Sequence, residues 1–232
     1  IIDRADLVGL PGGFSYGDSI AAGRIMANMM RKTLYPKLVD AVRRGVPMIA
    51  PCNGFQIAVQ LGLLPGPTPG SDWEQVAPTP TVALAQNNSA RFIDRWVEFR
   101  VPSNTRCVWT KNLSATPETS LIPIAHGEGR FVPASDELMQ EIEESDLVAC
   151  RYGSNDNPNG SIGDVMGICD ASGLVFGLMP HPERFLRWTQ HPTWTRLAKE
   201  QKKCDPLGLQ MFKNAVNYAT KNKTQNCVEQ SV

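Results

Sequence analysis

The chain has no surplus charge of either sign: 23 Lys and Arg residues are matched by 23 Asp and Glu over 232 residues. With no basic stripe, the sequence argues against nucleic acid as a main partner. No apolar run approaches the ~20 residues that a helix needs to cross a bilayer, so a membrane is not expected as a partner, and no signal-peptide pattern opens the chain. The six cysteines show no paired spacing, and there is no Cys-x-x-Cys or His-x-x-x-His, so neither a disulfide framework nor a metal site is expected. A reducing cytoplasm is the natural setting for such a chain. No internal repeat and no low-complexity tract interrupts it. Its length and 42% apolar content suit a single domain over residues 1–232 with a sizeable core.

What is there alternates. Leu7–Leu10 reads as a strand stopped by Pro11-Gly12-Gly13, followed by a small-residue loop to Gly23 and a helix carrying Ile25, Met26, Met29 and Met30 at helical spacing. A helix from Pro36 to Arg44 ends at Gly45. Val46–Ala50 is an apolar strand, and a helix runs from just beyond Cys52 to Leu61. Residues 63–80 are a Pro- and Gly-rich loop. Further strands are expected at Val82–Ala85, Trp96–Val101, Cys107–Thr110, Leu121–Ala125, Leu147–Tyr152, Val165–Cys169 and Leu174–Met179, with an acidic helix at Asp136–Glu144. Helices near Trp194–Lys202 and Leu209–Thr220 close the chain, with a polar, frayed tail after Lys221. Apolar strands alternating with helices imply an α/β fold with a mainly parallel sheet.

Cys52 stands at the corner where a strand runs directly into a helix, with Gly54 two residues on. Such a corner exposes the side chain above a helix N-terminus, where the dipole and unpaired N–H groups favour a thiolate and supply donors for an oxyanion. The other buried-strand cysteines, Cys107, Cys150 and Cys169, read as core fillers. A thiol nucleophile needs a base, and Met179-Pro-His-Pro-Glu-Arg184 offers His181, with Glu183 two residues on along an extended segment to orient it. The N–H groups of Gly13 and Asn53 are the candidates for an oxyanion hole. Together these pieces point to acyl transfer through a thioester.

Four segments make a resemblance specific: Leu10-Pro-Gly-Gly-Phe-Ser-Tyr-Gly-Asp18, Cys52-Asn-Gly-Phe-Gln56, Pro123-Ile-Ala-His-Gly-Glu-Gly-Arg130 and Met179-Pro-His-Pro-Glu-Arg184, with Asn87-Asn-Ser-Ala-Arg-Phe92 in support. The chain resembles the class I glutamine amidotransferases and, within them, the glutaminase subunits of phosphoribosylformylglycinamidine synthases. The resemblance implies a flavodoxin-like sheet with helices on both faces and a small antiparallel sheet beside it. It implies hydrolysis of glutamine at Cys52, with ammonia passed to a synthetase that converts formylglycinamide ribonucleotide to formylglycinamidine ribonucleotide in purine biosynthesis. The synthetase, with or without a small accessory subunit, would use ATP and Mg; this chain itself would need no cofactor. Gln56 is then expected to contact glutamine from the helix after Cys52, His126 and Arg130 are expected at the glutamine pocket or facing the synthetase, and the Phe14–Gly23 loop and the His126–Arg130 segment are expected to couple the two activities.

The chain departs from the family in two respects. The usual Gly-x-Cys-x-Gly corner has Ala50 at its first glycine and Pro51 before the cysteine. The chain also opens on the Pro-Gly-Gly strand, so the family's first strand and helix are expected to precede Ile1. Two other readings use the same residues: a stand-alone γ-glutamyl hydrolase or Cys peptidase of this fold, and a catalytically silent partner subunit.

Overall fold

In the computed structural model, which describes residues 1–229, the strands assemble into a seven-stranded sheet and a separate pair. The seven are β1 (Val8–Gly9), β2 (Met48–Pro51), β4 (Ile93–Arg100), β5 (Leu121–His126), β7 (Val148–Tyr152), β8 (Val165–Cys169) and β9 (Val175–Leu178). Their spatial order is β1-β2-β9-β8-β7-β4-β5. The small antiparallel pair is β3 (Val82–Gln86) with β6 (Glu128–Pro133). The helices are α1 (Arg24–Met30), α2 (Tyr35–Arg43), α3 (Asn53–Leu61), α4 (Asp136–Glu144) and α5 (Leu207–Glu229).

The α/β architecture and the extra antiparallel pair match the sequence expectation, but the large sheet is mixed. Only β1, β2 and β9 run parallel. Pairings β9–β8, β8–β7, β7–β4 and β4–β5 are antiparallel. The connectors explain this. The link from β8 to β9 is the tight turn 170–174, closed by Gly173 N–H to Asp170 O (2.9 Å). It is far too short for a parallel crossover, which takes a dozen residues or more.

Alternation along the strands supplies two cores. On β2, Met48 and Ala50 join the core beneath α1–α4, while Ile49 faces the opposite core with Leu207, Met211 and Ala215 of α5. Helices therefore cover both faces, as expected. Three local expectations fail. Cys107–Thr110 forms turns: Trp109 is buried by its side chain, whose Nε1–H donates to Leu174 O (2.9 Å), not by a strand ladder. Trp194–Lys202 holds turns and a single 3₁₀ turn at Glu200–Lys202, because among these residues only Leu197 reaches the core. The closing helix starts two residues early and continues past Lys221 to Glu229.

Candidate active site

Cys52 joins β2 to α3 with φ 50° and ψ −111°, a conformation that an L-residue holds only under constraint. The constraint is visible on both sides. Cys52 N–H donates to Leu178 O of β9 (2.7 Å), and Cys52 O accepts from Phe55 and Gln56 N–H (2.9 and 3.1 Å). A Cβ at Gly54 would lie 1.9 Å from Leu10 O, so the corner packs against the end of β1 in a way only glycine allows. Pro51 fits despite its missing N–H. In this strand Met48 and Cys52 donate toward β9, so the odd positions 49 and 51 face β1, which ends at Gly9. Ala50 is fully buried and paired to Gly177, where the Phe55 and Leu64 side chains fill the space that a Cβ would need.

The structure brings His181 to the thiol. His181 follows β9, and its N–H donates to Pro123 O of β5 (2.9 Å). Its Nδ1 lies 2.6 Å from Glu183 Oε1. The segment is not extended as expected: Pro182–Arg184 is a 3₁₀ turn, and it is the turn that swings Glu183 back under the ring. The two side chains meet at Gly12, whose would-be Cβ is 2.9 Å from His181 Cε1 and 3.5 Å from Cys52 Cβ. His181 Nε2 is buried without a hydrogen-bond partner, and Cys52 Sγ leans on Ala125 O at 3.6 Å. Burial pushes the imidazole pKa down, but the Cys52 and Glu183 side chains on either side outweigh it and lift it to about 9. At neutral pH the ring therefore carries its second proton.

The remaining candidates fall around this centre. Gly13 (φ 142°) lies on the exposed loop after Gly12, with open space where a side chain would be. Asn53 opens α3; its Oδ1 accepts from Ser15 N–H (3.1 Å), which pins the loop, and its Nδ2 donates to Gln56 Oε1 (2.8 Å). Gln56 in turn donates through Nε2 to Glu128 O, so its amide joins α3 to the start of β6. Glu128 Oε2 accepts from Ala22 N–H (3.0 Å), and burial and then Glu128 raise the carboxyl of Asp18. Arg130 is half-buried on β6 with Nε unpartnered. His126 ends β5, 2% exposed, its pKa pushed down to about 4 by burial and then by the charge of nearby His181.

Two participants were not singled out as site residues from sequence. Gly12 is the residue against which Cys52 and His181 meet. Asn87, 2% exposed just beyond β3, bonds to Arg91 O, His126 O and Gly129 N–H. Its place inside a recurring motif was the available signal. Among the described residues, no cluster of His, Cys, Asp and Glu has metal-binding geometry, and no helix is long and apolar enough to cross a membrane.

Residues 1–219 match the CobB/CobQ-like glutamine amidotransferase domain. The phosphoribosylformylglycinamidine synthase subunit PurQ of Dehalococcoides mccartyi is 38% identical over 218 residues, covering 92% of this chain and 79% of that protein. The subunit of the same name from Methanococcus maripaludis is 35% identical, over 93% and 81%. Among solved structures, PurLQS from Thermotoga maritima superposes with a TM-score of 0.66 at 33% identity, covering 93% of this chain and 81% of the matched one.

Proposed function

Because the chain belongs to the CobB/CobQ-like glutamine amidotransferase family, we propose that it is the glutaminase subunit of a phosphoribosylformylglycinamidine synthase, with Cys52, His181 and Glu183 as its catalytic residues. The observation that carries this reading is the strained Cys52 corner beside His181, which Glu183 holds at 2.6 Å.

Cys52 Sγ attacks the side-chain carbonyl carbon of glutamine, and the resulting oxyanion takes N–H donation from Gly13 and Asn53. His181 gives a proton to the carboxamide nitrogen, the C–N bond breaks, and ammonia leaves a γ-glutamyl thioester. His181, now neutral, takes a proton from water as its oxygen attacks the thioester. Glutamate departs and the thiolate–imidazolium pair returns. Glu183 keeps the ring oriented and stabilises its charge throughout. Gln56 and Arg130 shape the wall between α3 and β6. This scheme uses no cofactor in the chain; ATP and Mg belong to the synthetase that receives the ammonia.

A partner surface beside this site supports the coupled reading over a stand-alone hydrolase. Phe14, Tyr16, Ile20, Met29 and Phe92 are all at least half exposed, and the Phe14 and Phe92 rings lie 6.1 Å apart. An apolar patch of this kind on the loop next to the thiol suits a docked subunit. The backbone of that loop holds Tyr16, Asp18 and Ile20 at positive φ, a strained state that docking can reset.

The test is formylglycinamidine ribonucleotide synthesis by the chain assembled with its synthetase, fed with glutamine or with ammonium chloride. Cys52→Ala should abolish glutamine-dependent synthesis and spare ammonium-dependent synthesis. Glutamine hydrolysis by the parent should rise when synthetase and nucleotide are added. Unchanged turnover in Cys52→Ala would overturn the nucleophile, and equal parent rates with and without synthetase would favour the stand-alone hydrolase.

A further inference from the structure

Asn87 fixes which nitrogen of His126 carries a proton. The orientation of its amide is set by its other partners: Nδ2 faces two carbonyl oxygens, Arg91 O and His126 O, each at 2.9 Å, and Oδ1 receives Gly129 N–H at 3.2 Å. Oδ1 is therefore the atom 3.1 Å from His126 Nδ1, and an oxygen can only accept there. So Nδ1 holds the hydrogen, and Nε2 is left as a bare lone pair. That lone pair is buried and has no partner in a side chain that is 2% exposed. A buried acceptor left empty is costly, and natural proteins rarely leave one without a purpose.

The surroundings say what kind of group would fill it. β6 crosses directly over the ring: a Cβ at Gly129 would lie 2.3 Å from both His126 Cε1 and Nδ1, so the ring is clamped in place. The strand that carries His126 also supplies Pro123 O to the His181 backbone and Ala125 O to Cys52 Sγ. His126 thus sits one residue beyond the contact to the nucleophile, on the strand whose Pro123 O holds the His181 backbone, and the His181 charge reaches its ring. In the mechanism above, the group that stands beside His181 and carries hydrogens is the carboxamide nitrogen of glutamine.

We propose that His126 Nε2, held bare by the Asn87 contact to Nδ1, accepts a hydrogen bond from the carboxamide nitrogen of glutamine as it becomes ammonia. This rests on the glutaminase reading and extends it to a named atom. No proton is transferred to His126: the ring stays neutral at working pH, so it receives ammonia without converting it to ammonium, and the proton that releases the nitrogen comes from His181. A neutral acceptor here also keeps the free base available for transfer to a synthetase.

The experiment compares His126→Leu, which removes the acceptor, with His126→Gln, whose Oε1 restores one, each assembled with its synthetase. For His126→Leu we expect kcat for glutamine to fall about 10²-fold, by analogy with loss of one aligned hydrogen bond to a reacting group, with KM within about threefold. His126→Gln should recover at least about tenfold of that loss. A glutamine-like chloroketone, which has no leaving nitrogen, should alkylate Cys52 in both variants at close to the parent rate. Parent-like kcat in His126→Leu would overturn the proposal. So would equal impairment of the two variants, or chloroketone labelling that falls in step with turnover, since either indicates that the ring only supports the fold. An inactive parent complex would instead overturn the glutaminase reading itself.

Discussion

Replacing Gly12 with alanine tests whether the Cys52–His181 geometry is as tight as it looks. The added methyl would sit 2.9 Å from His181 Cε1, 3.4 Å from Nδ1 and 3.5 Å from Cys52 Cβ. Gly12 does not occupy a left-handed conformation, so the backbone accepts alanine and the effect is one of contact alone. Carbon atoms pack best at about 3.5–4.0 Å, so the ring must withdraw by roughly 0.6–1.1 Å. It cannot do so freely: its backbone N–H is held by Pro123 O and its Nδ1 by Glu183. The shift therefore falls on the direction of Nε2, the atom that must reach the thiol and the leaving nitrogen. A misplacement of about 1 Å costs about 10²-fold in rate. The fold should lose far less. Overpacking costs about 1–3 kcal/mol, and with Glu183 partly exposed the low end applies, a fall in Tm of about 2–4 °C for a chain of this size. Steady-state glutamine hydrolysis with the synthetase present gives kcat and KM, and a thermal melt gives Tm. A Gly12→Ala protein with parent kcat would refute the close approach of His181 to Cys52. A protein that loses rate only because it unfolds would show the cost in Tm first.

Two further outcomes follow from the charges at the site. His181→Ala should reduce glutamine turnover by about 10²–10⁴-fold and Glu183→Gln by less, because in the proposed scheme the first moves protons and the second only orients the ring; kcat measurements that reversed this order would exchange their roles. Stability should respond to pH through both histidines with opposite signs. His181 is raised to about 9, so its contribution is complete below the unfolded value near 6.5 and is lost as pH rises through 9. His126 is lowered to about 4, so unfolding gains a proton between pH 6.5 and 4, and the fold loses up to about 3 kcal/mol as pH falls through that window. Urea unfolding from pH 4 to 10 reads both. Removing His126 by substitution should flatten the acid side alone, and an unchanged acid slope would contradict its burial as the neutral ring.

The parts of the site that were legible in the sequence are those where chemistry restricts residue type. A thiol between an apolar strand and a helical pattern leaves little choice of geometry, and Cys52 sits where that pattern put it. His181 and Glu183 were legible as a pair, but not the way they meet. Two prolines around a histidine suggest a stiff extended segment, whereas the observed bond needs a 3₁₀ turn, and nothing local separates those outcomes. β6 was read as part of a glycine-bearing motif rather than a strand, because its partner β3 lies some 40 residues away and pairing at that distance leaves no periodic trace in so short a run. Cys107–Thr110 failed for the opposite reason: it is apolar enough for a strand, but its burial comes from the Trp109 side chain reaching Leu174 O.

Asn87 shows where sequence reading stops for the site itself. An asparagine at a strand end reads as turn chemistry, and its backbone does make a turn, with Ala90 N–H donating to Asn87 O (2.8 Å). Its side chain does something else, bridging β3, β5 and β6 through partners up to 42 residues away. Such a hub carries no catalytic residue type, so the logic that found Cys52 passes over it. The glycines beside it are the better clue. Gly12 and Gly129 each stand where a Cβ would strike an imidazole, His181 in one case and His126 in the other. A glycine that lies neither at a helix end nor in a hairpin, but beside a motif histidine, marks a place where backbone has been brought against a ring to hold it. Applied to this sequence, that rule picks out Gly129 with His126, three residues apart, but not Gly12, whose histidine is brought to it only by the fold.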